Sequence, residues 1–376
     1  MMHSRRSLVA LAAIPRPAAS MSTLSSRFTE RFTALSPIVL APMGGCAGGT
    51  LAAAVSAAGG IGLVGSGGET LDFLREEWAN ALAHPGVDRA RLGFGLNVKQ
   101  LEEYSEGTLE GILAELQPAH VYLSFGDITP HAGAVLESGA ALYSNAGDCE
   151  GALAHAQAGA TCVVVQGSDA GGHTHNSASV FTLVPQARST LDAAGFEDTL
   201  LVAAGGISDG RGLAASLVLG ADAAILGTRF AAAAESTYAG KQKAALLSVK
   251  CGASGTTIGT FIDAVRGIEQ HSSGLPGRCL VNKSTRLEGE WQLTAGESEE
   301  GARKQKKEEI MRQHSEGVMA SGGEGLEWGA TWAGTAVGLV NAVQPADEII
   351  AQVVGEAASA LSSGASRSAW SVSRPS

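Results

Sequence analysis

The stretch LLVAAGGISDGRGLAASLVLGADAAILGTRF, residues 200–230, alternates between two kinds of chain. LLVAAGG (200–206) and AAILGT (223–228) are short apolar runs, of the kind found in strands buried on both faces. Between them a glycine turn feeds a helical segment. Strand, turn, helix, strand is the repeating unit of a parallel sheet, since parallel neighbours need a crossover between them. The same rhythm recurs upstream in PIVLAPM (37–43), GIGLVG (60–65), RLGFGLNV (91–98), HVYLSFG (120–126), AALYSN (140–145) and TCVVVQG (161–167), eight runs in all. TLAAAVSAAGG, TLEGILAELQP and CEGALAHAQAGA lie between them as helices, the last two closing on Pro or Gly where a helix stops. This pattern predicts an α/β chain, a (β/α)8 TIM barrel with a C-terminal irregular and helical extension. A doubly wound open sheet is the alternative that strand count alone leaves standing.

Beyond Arg229 the rhythm changes. FAAAAESTYAGKQKAALLSV reads as the helix after the eighth strand, residues 250–295 as an irregular Gly/Thr/Ser-rich segment, and GESEEGARKQKKEEIMRQHSEG as a charged helix on a solvated face or linker. GATWAGTAVGLVNAVQPADEIIAQVVGEA reads as a closing helical pair. The expected organisation is a barrel over 33–240 with 325–360, an insertion or lid over 241–324, and a segment outside the fold over 1–32.

Composition narrows the function classes. Of 376 residues, 45% are hydrophobic, 5% aromatic and 50 are glycine, a balance that suits small-residue packing and many tight turns. A formal charge of -11 repels a phosphate backbone or an anionic membrane surface, so no nucleic-acid or membrane partner is expected. A local anion site built from backbone N–H groups is still allowed. The cysteines Cys46, Cys149, Cys162, Cys251 and Cys279 never pair as CxxC, which predicts a reducing compartment and no metal site. Arg5, Arg6, Arg16 and Arg27 precede the first acid, Glu30, as in a mitochondrial transit segment, while MSTLSSRFTERF from Met21 reads as an alternative start. A soluble, cytoplasmic chain is expected, with mitochondria as the alternative.

A barrel carries its chemistry at the C-terminal ends of its strands. Those ends hold Pro42, Met43 and Gly44, then Asn97, then Gln166 through His173, then Gly205 and Gly206, then Gly227 and Thr228. The last two turns place bare N–H groups beside helix starts, the usual phosphate site of such a barrel. His173, after AGG, faces the cavity as the catalytic or substrate-contacting candidate. His175 lacks a third metal ligand nearby and reads as structural, Asp169 orients His173 or caps the turn, and Cys46 has no neighbouring base to activate it. Gln166 and Asn97 offer amides suited to a polar heterocycle.

These motifs together resemble the nitronate monooxygenase family, formerly 2-nitropropane dioxygenases. The resemblance runs from Ser36 to Gly355 through APMGG (41–45), VVVQGSDAGGH (163–173), AAGGISDGRGLAASLVLGADAAILGTRF (203–230) and WAGTAVGLV (332–340). It implies an FMN-dependent enzyme that oxidises alkyl nitronates with O2 to a carbonyl compound and nitrite. In that case Ala41, Pro42, Met43 and Gly44 run along the flavin ring, and Asn97, Gln166, Gly171 and Gly172 contact the flavin. Gly205, Gly206, Gly227 and Thr228 grip the phosphate, and His173 matches the family's active-site histidine. The partners implied are a nitronate or nitroalkane and O2, with a homodimer as an assembly to test. AGGHTH stands where the family usually shows AGGHxG, which alters the pocket wall beyond His173. The same scaffold and AGGH motif occur in flavin-dependent enoyl-acyl carrier protein reductases, so an FMN-dependent NAD(P)H reductase with an enoyl thioester or quinone acceptor is the alternative.

Overall fold

Eight parallel strands make one sheet: β1 (Ile38–Leu40), β2 (Gly62–Gly65), β3 (Leu92–Asn97), β4 (His120–Ser124), β5 (Ala141–Ala146), β6 (Cys162–Gln166), β8 (Leu200–Ala204) and β9 (Ala223–Leu226). The computed structural model describes residues 23–104, 107–175, 178–267, 275–293, 300–320 and 325–363. The strands run in the order β1-β9-β8-β6-β5-β4-β3-β2, and a parallel bridge between Val39 and Ile61 brings β1 back against the start of β2. The ring is a (β/α)8 barrel, and the open-sheet alternative falls away. Strand ends differ by only a few residues from those read in the sequence, because runs buried on both faces carry their own boundary signals.

Two apolar layers hold it. The outer layer packs helices on the barrel; Ile349, Ile350, Val353, Val354 and Ala357 of the helix Ala346–Ser363 form one buried stripe against the helices Gly210–Val218 and Gly49–Ala57. The inner layer fills the barrel with Val39, Leu63, Tyr122, Tyr143, Val164, Val202 and Ile225. Phe28 closes the bottom of this layer. It belongs to the short helix Arg27–Phe32, whose Ser26 and Thr29 form a reciprocal capping box, and its ring meets Phe32 at 5.0 Å and Tyr143 at 6.5 Å. Arg27 then pairs twice with the nearly buried Asp222 beside β9, at 2.7 and 2.8 Å. The expectation that everything through residue 32 lies outside the fold is therefore corrected for Arg27–Phe32. The leader reading of residues 1–22 lies outside the described residues.

Four further readings are revised above the barrel. The stretch after β9 is two helices, Thr228–Ala231 and Gly240–Ser248, because the chain between them turns to let Lys243 donate to the carbonyls of Ala234 and Ser236. The segment read as irregular carries β10 (Thr256–Gly259) and β11 (Gly277–Leu280), which pair antiparallel with each other, and β11 pairs antiparallel in turn with β7 (Gly172–His173). The charged helix, Glu300–Ala320, is no solvated linker: Ile310 and His314 are buried in a small core with Phe261, Trp291 and Trp328. The expected closing pair is one long helix preceded by a 3-10 turn at Thr335–Leu339, so WAGT is left free to line the mouth of the barrel. Among the described residues no helix is long and apolar enough to cross a membrane.

Candidate active site

The C-terminal ends of the strands open into a cavity of about 450 Å³. Its wall includes every residue that the sequence assigned to catalysis or to the cofactor: Ala41, Pro42, Met43 and Gly44 after β1, Asn97 at the end of β3, Gln166 at the end of β6, and Gly171, Gly172 and His173 just beyond. Gly205, Gly206, Gly227 and Thr228 complete that set after β8 and β9. One half of the wall is thus nearly bare backbone. Gly205 and Gly206 have φ of 104° and 72°, a left-handed turn that side chains resist. The N–H groups of Gly206 and Ile207 donate to no described group, which leaves them for something in the cavity.

The rest of the wall carries side chains. The His173 ring lies 5.4 Å from that of Trp332 and 6.4 Å from that of Phe125, and its Nε2 is 2.7 Å from Oδ2 of Asp263. Asp263 is 2% exposed. The His173 carbonyl accepts from Nε2 of Gln166 at 3.1 Å, and the Gln166 side-chain oxygen accepts from Asn145 at 3.4 Å. The loop holding His173 is fastened from outside. Gly171 packs so closely on Ala333 and Gly334 that a Cβ there would lie 2.5 Å from both, and the Gly334 N–H donates to Oγ1 of Thr228 at 2.9 Å.

Asp169, expected to orient His173 or cap the turn, does not reach the ring. Its carboxylate accepts from Ser179 and Thr335, both at 3.1 Å, and its carbonyl accepts from the Thr335 N–H. It clasps the loop after β6 to the WAGT segment. His175 is partly buried, with its ring 6.1 Å from Phe125, and burial lowers its pKa. Among the described residues no group of three or more His, Cys, Asp or Glu is arranged to hold a metal ion. Burial pushes the Cys46 thiol up to about 12, so no thiolate is available there near neutral pH.

Sequence reasoning missed Asp263, Arg266, Trp332, Tyr238 and Phe125 as wall or contact residues. Trp332 and Tyr238 belong together, since the Tyr238 hydroxyl accepts from the Trp332 N–H at 3.2 Å. WAGTAVGLV signalled the Trp332 region. Nothing local signals Asp263, which joins His173 across 90 residues.

The nitronate monooxygenase family model matches residues 25–84 and 96–356. The chain belongs to the nitronate monooxygenase family. Membership makes it an oxidoreductase. The chain is 32% identical to nitronate monooxygenase of Neurospora crassa over 90% of this chain and 93% of that one. It is also 32% identical, over 64% of this chain and 65% of that one, to the (3aS,4S,5R,7aS)-5-hydroxy-7a-methyl-1-oxo-octahydro-1H-indene-4-carboxyl-CoA dehydrogenase of Mycobacterium tuberculosis. Among solved structures it is similar to FabK of Thermotoga maritima, with a TM-score of 0.73 at 25% identity over 92% of this chain and 99% of that one. Nitroalkane oxidase of Streptomyces ansochromogenes follows at 0.69 and 26%, covering 90% and 99%.

Proposed function

We propose that this nitronate monooxygenase family member oxidises alkyl nitronates with O2 through bound FMN, giving a carbonyl compound and nitrite. The observation that carries this reading is the cavity itself, which brings a stretch of nearly bare backbone and the His173 side chain into one wall. A flat, anionic cofactor suits the bare stretch: Ala41, Pro42 and Gly44 present little bulk, Asn97 and Gln166 offer amide donors and acceptors, and the unpartnered N–H groups after β8 suit a phosphate. Gly171 and Gly172 would border the ring, and Gly205, Gly206, Gly227 and Thr228 would hold the phosphate. FMN, when bound, supplies electron acceptance and the reaction with oxygen. The protein's own task is placement. His173, between Trp332 and Phe125, would meet the nitro group, and the two rings would shield the reacting centre from water.

An anaerobic absorbance titration of the purified protein tests this. Bleaching of the flavin band by propionate 3-nitronate alone, with nitrite released on readmitting air, is the expected result. Bleaching by NADPH alone, with no response to the nitronate, would replace this reading by the second one, reduction of an enoyl thioester or quinone. The likeness to a carboxyl-CoA dehydrogenase over about two thirds of the chain is what supports that alternative.

A further inference from the structure

Tyr238 borders the cavity, and the chain on either side of it is pinned. Thr237 joins the loop after β1: its N–H donates to the Cys46 carbonyl at 3.1 Å and its hydroxyl to the Gly45 carbonyl at 2.9 Å. Ala239 opens the helix Gly240–Ser248, and its N–H donates to Oε1 of Gln242 at 3.0 Å. The far end of the side chain is held as well. The Tyr238 hydroxyl accepts from the Trp332 N–H at 3.2 Å, and Trp332 is itself bridged to Cys279 of β11. A hydroxyl has one hydrogen to give and two lone pairs to accept with. Trp332 occupies a lone pair, so the hydrogen is still to be given, and it meets no acceptor among the described residues. Burial raises the pKa of the phenol, which keeps that hydrogen in place near neutral pH. Accepting the N–H bond also polarises the O–H and makes it a stronger donor.

The other polar group of the cover leaves room for such a donor. The His173 ring is bonded to Asp263, in the helix Phe261–Val265, where the N–H groups of Thr260 and Phe261 donate to the buried carboxylate of Glu288 at 3.1 and 2.8 Å. An imidazole tied to a carboxylate offers an anion no net positive charge, whether or not the ring is protonated. The Trp332 indole lies 5.4 Å from the His173 ring while its backbone N–H holds the Tyr238 hydroxyl, so one residue ties both groups to the same cavity. We propose that Tyr238 contacts the substrate, its hydroxyl donating a hydrogen bond to an oxygen of the bound nitronate. This rests on the oxidative reading above. The bond acts on binding more than on the reaction. Negative charge leaves the oxygens of the anion as it is oxidised, so a donor there holds the starting complex at least as firmly as the transition state.

The experiment measures KM and kcat for ethyl nitronate by nitrite release near neutral pH. It compares three holoenzymes: wild type, Tyr238→Phe, and a protein carrying 3-fluorotyrosine at position 238. Tyr238→Phe is expected to raise KM by about 10–100-fold, the worth of one hydrogen bond to a charged group, with kcat within about threefold and the flavin still bound. Loss of the hydroxyl also strips the Trp332 N–H of its acceptor, and the fluorinated ring separates the two effects. Fluorine makes the hydroxyl a better donor and a poorer acceptor. A KM below that of the wild type supports the bond to the anion; a KM at or above it overturns the proposal and leaves a hydroxyl that only props Trp332. An unchanged KM in Tyr238→Phe, with or without a fall in kcat, overturns it too. Should Tyr238→Phe not fold, the fluorinated protein, which keeps the hydroxyl, answers alone. A wild type that releases no nitrite from the nitronate removes the oxidative reading and this proposal with it, whereas nitrite release with a KM indifferent to the side chain at 238 removes the proposal alone.

Discussion

The barrel wall and the cover over its mouth face one cavity with different materials. The wall, at 41–44, 205–206 and 227–228, offers mostly backbone, and what it can grip is flat or phosphorylated and otherwise generic. The cover, built from β10, β11, the Asp263 helix and the WAGT segment, offers an imidazole backed by a carboxylate, an indole, and the guanidinium of Arg266. On the function proposed above, holding a cofactor and choosing a reaction fall to different parts of the chain, and a change in the cover would redirect chemistry without rebuilding the wall.

The sharpest way to break this division is His173→Asn. Turnover with nitronate should fall by about 10²–10⁴-fold while flavin content stays that of the wild type; loss of the flavin itself would place the histidine on the wall's side of the divide. Phe28→Ala works from the other end. Removing a fully buried ring from the barrel floor should cost about 3–5 kcal/mol, seen as a lower denaturation midpoint, with kcat/KM unchanged in the folded protein.

Acid sensitivity offers a third separation. His120, on β4 beneath the cavity, accepts from the Tyr143 hydroxyl on Nδ1 and donates from Nε2 to the Ala90 carbonyl, and burial lowers it to about 4. Its folded value lies below the 6.5 of an exposed imidazole, so the unfolded chain takes up the proton first. Its contribution is complete above that value and is lost as pH falls towards about 4, by about 3 kcal/mol in all. Urea midpoints across this range should fall with pH in the wild type and flatten in His120→Gln. A slope that survives the substitution would move the sensitivity elsewhere. The smallest effect is expected from Glu288→Gln, which weakens two charge-assisted bonds to the Asp263 helix by about 1–2 kcal/mol. Turnover with nitronate should drop while flavin affinity holds, and an equal drop in both would show that cover and wall are coupled.

The wall was legible because its work is done by glycine and by strand ends, both of which leave marks in the sequence. The cover was not. Asp263 lies in a stretch whose short strands have partners far away, so neither periodicity nor a motif announces it. Ile310 and His314 are buried points on an otherwise charged helix, too few to make a stripe. At the N-terminus, arginine and serine content suggested a leader, although Phe28 and Phe32, spaced i and i+4, carried the signal of a helix with one buried face.

That floor helix has a consequence for how the molecule is made. Arg27 and Phe28 leave the ribosome before almost all of their partners, since Asp222 follows Arg27 by 195 residues and Tyr143 comes only midway through the barrel. Until β9 is made, the two phenylalanines have no finished seat, and the loop to be closed is nearly the whole barrel. The stopper is synthesised well before its seat is complete, so the nascent chain carries uncovered apolar rings near residue 30 until the barrel closes.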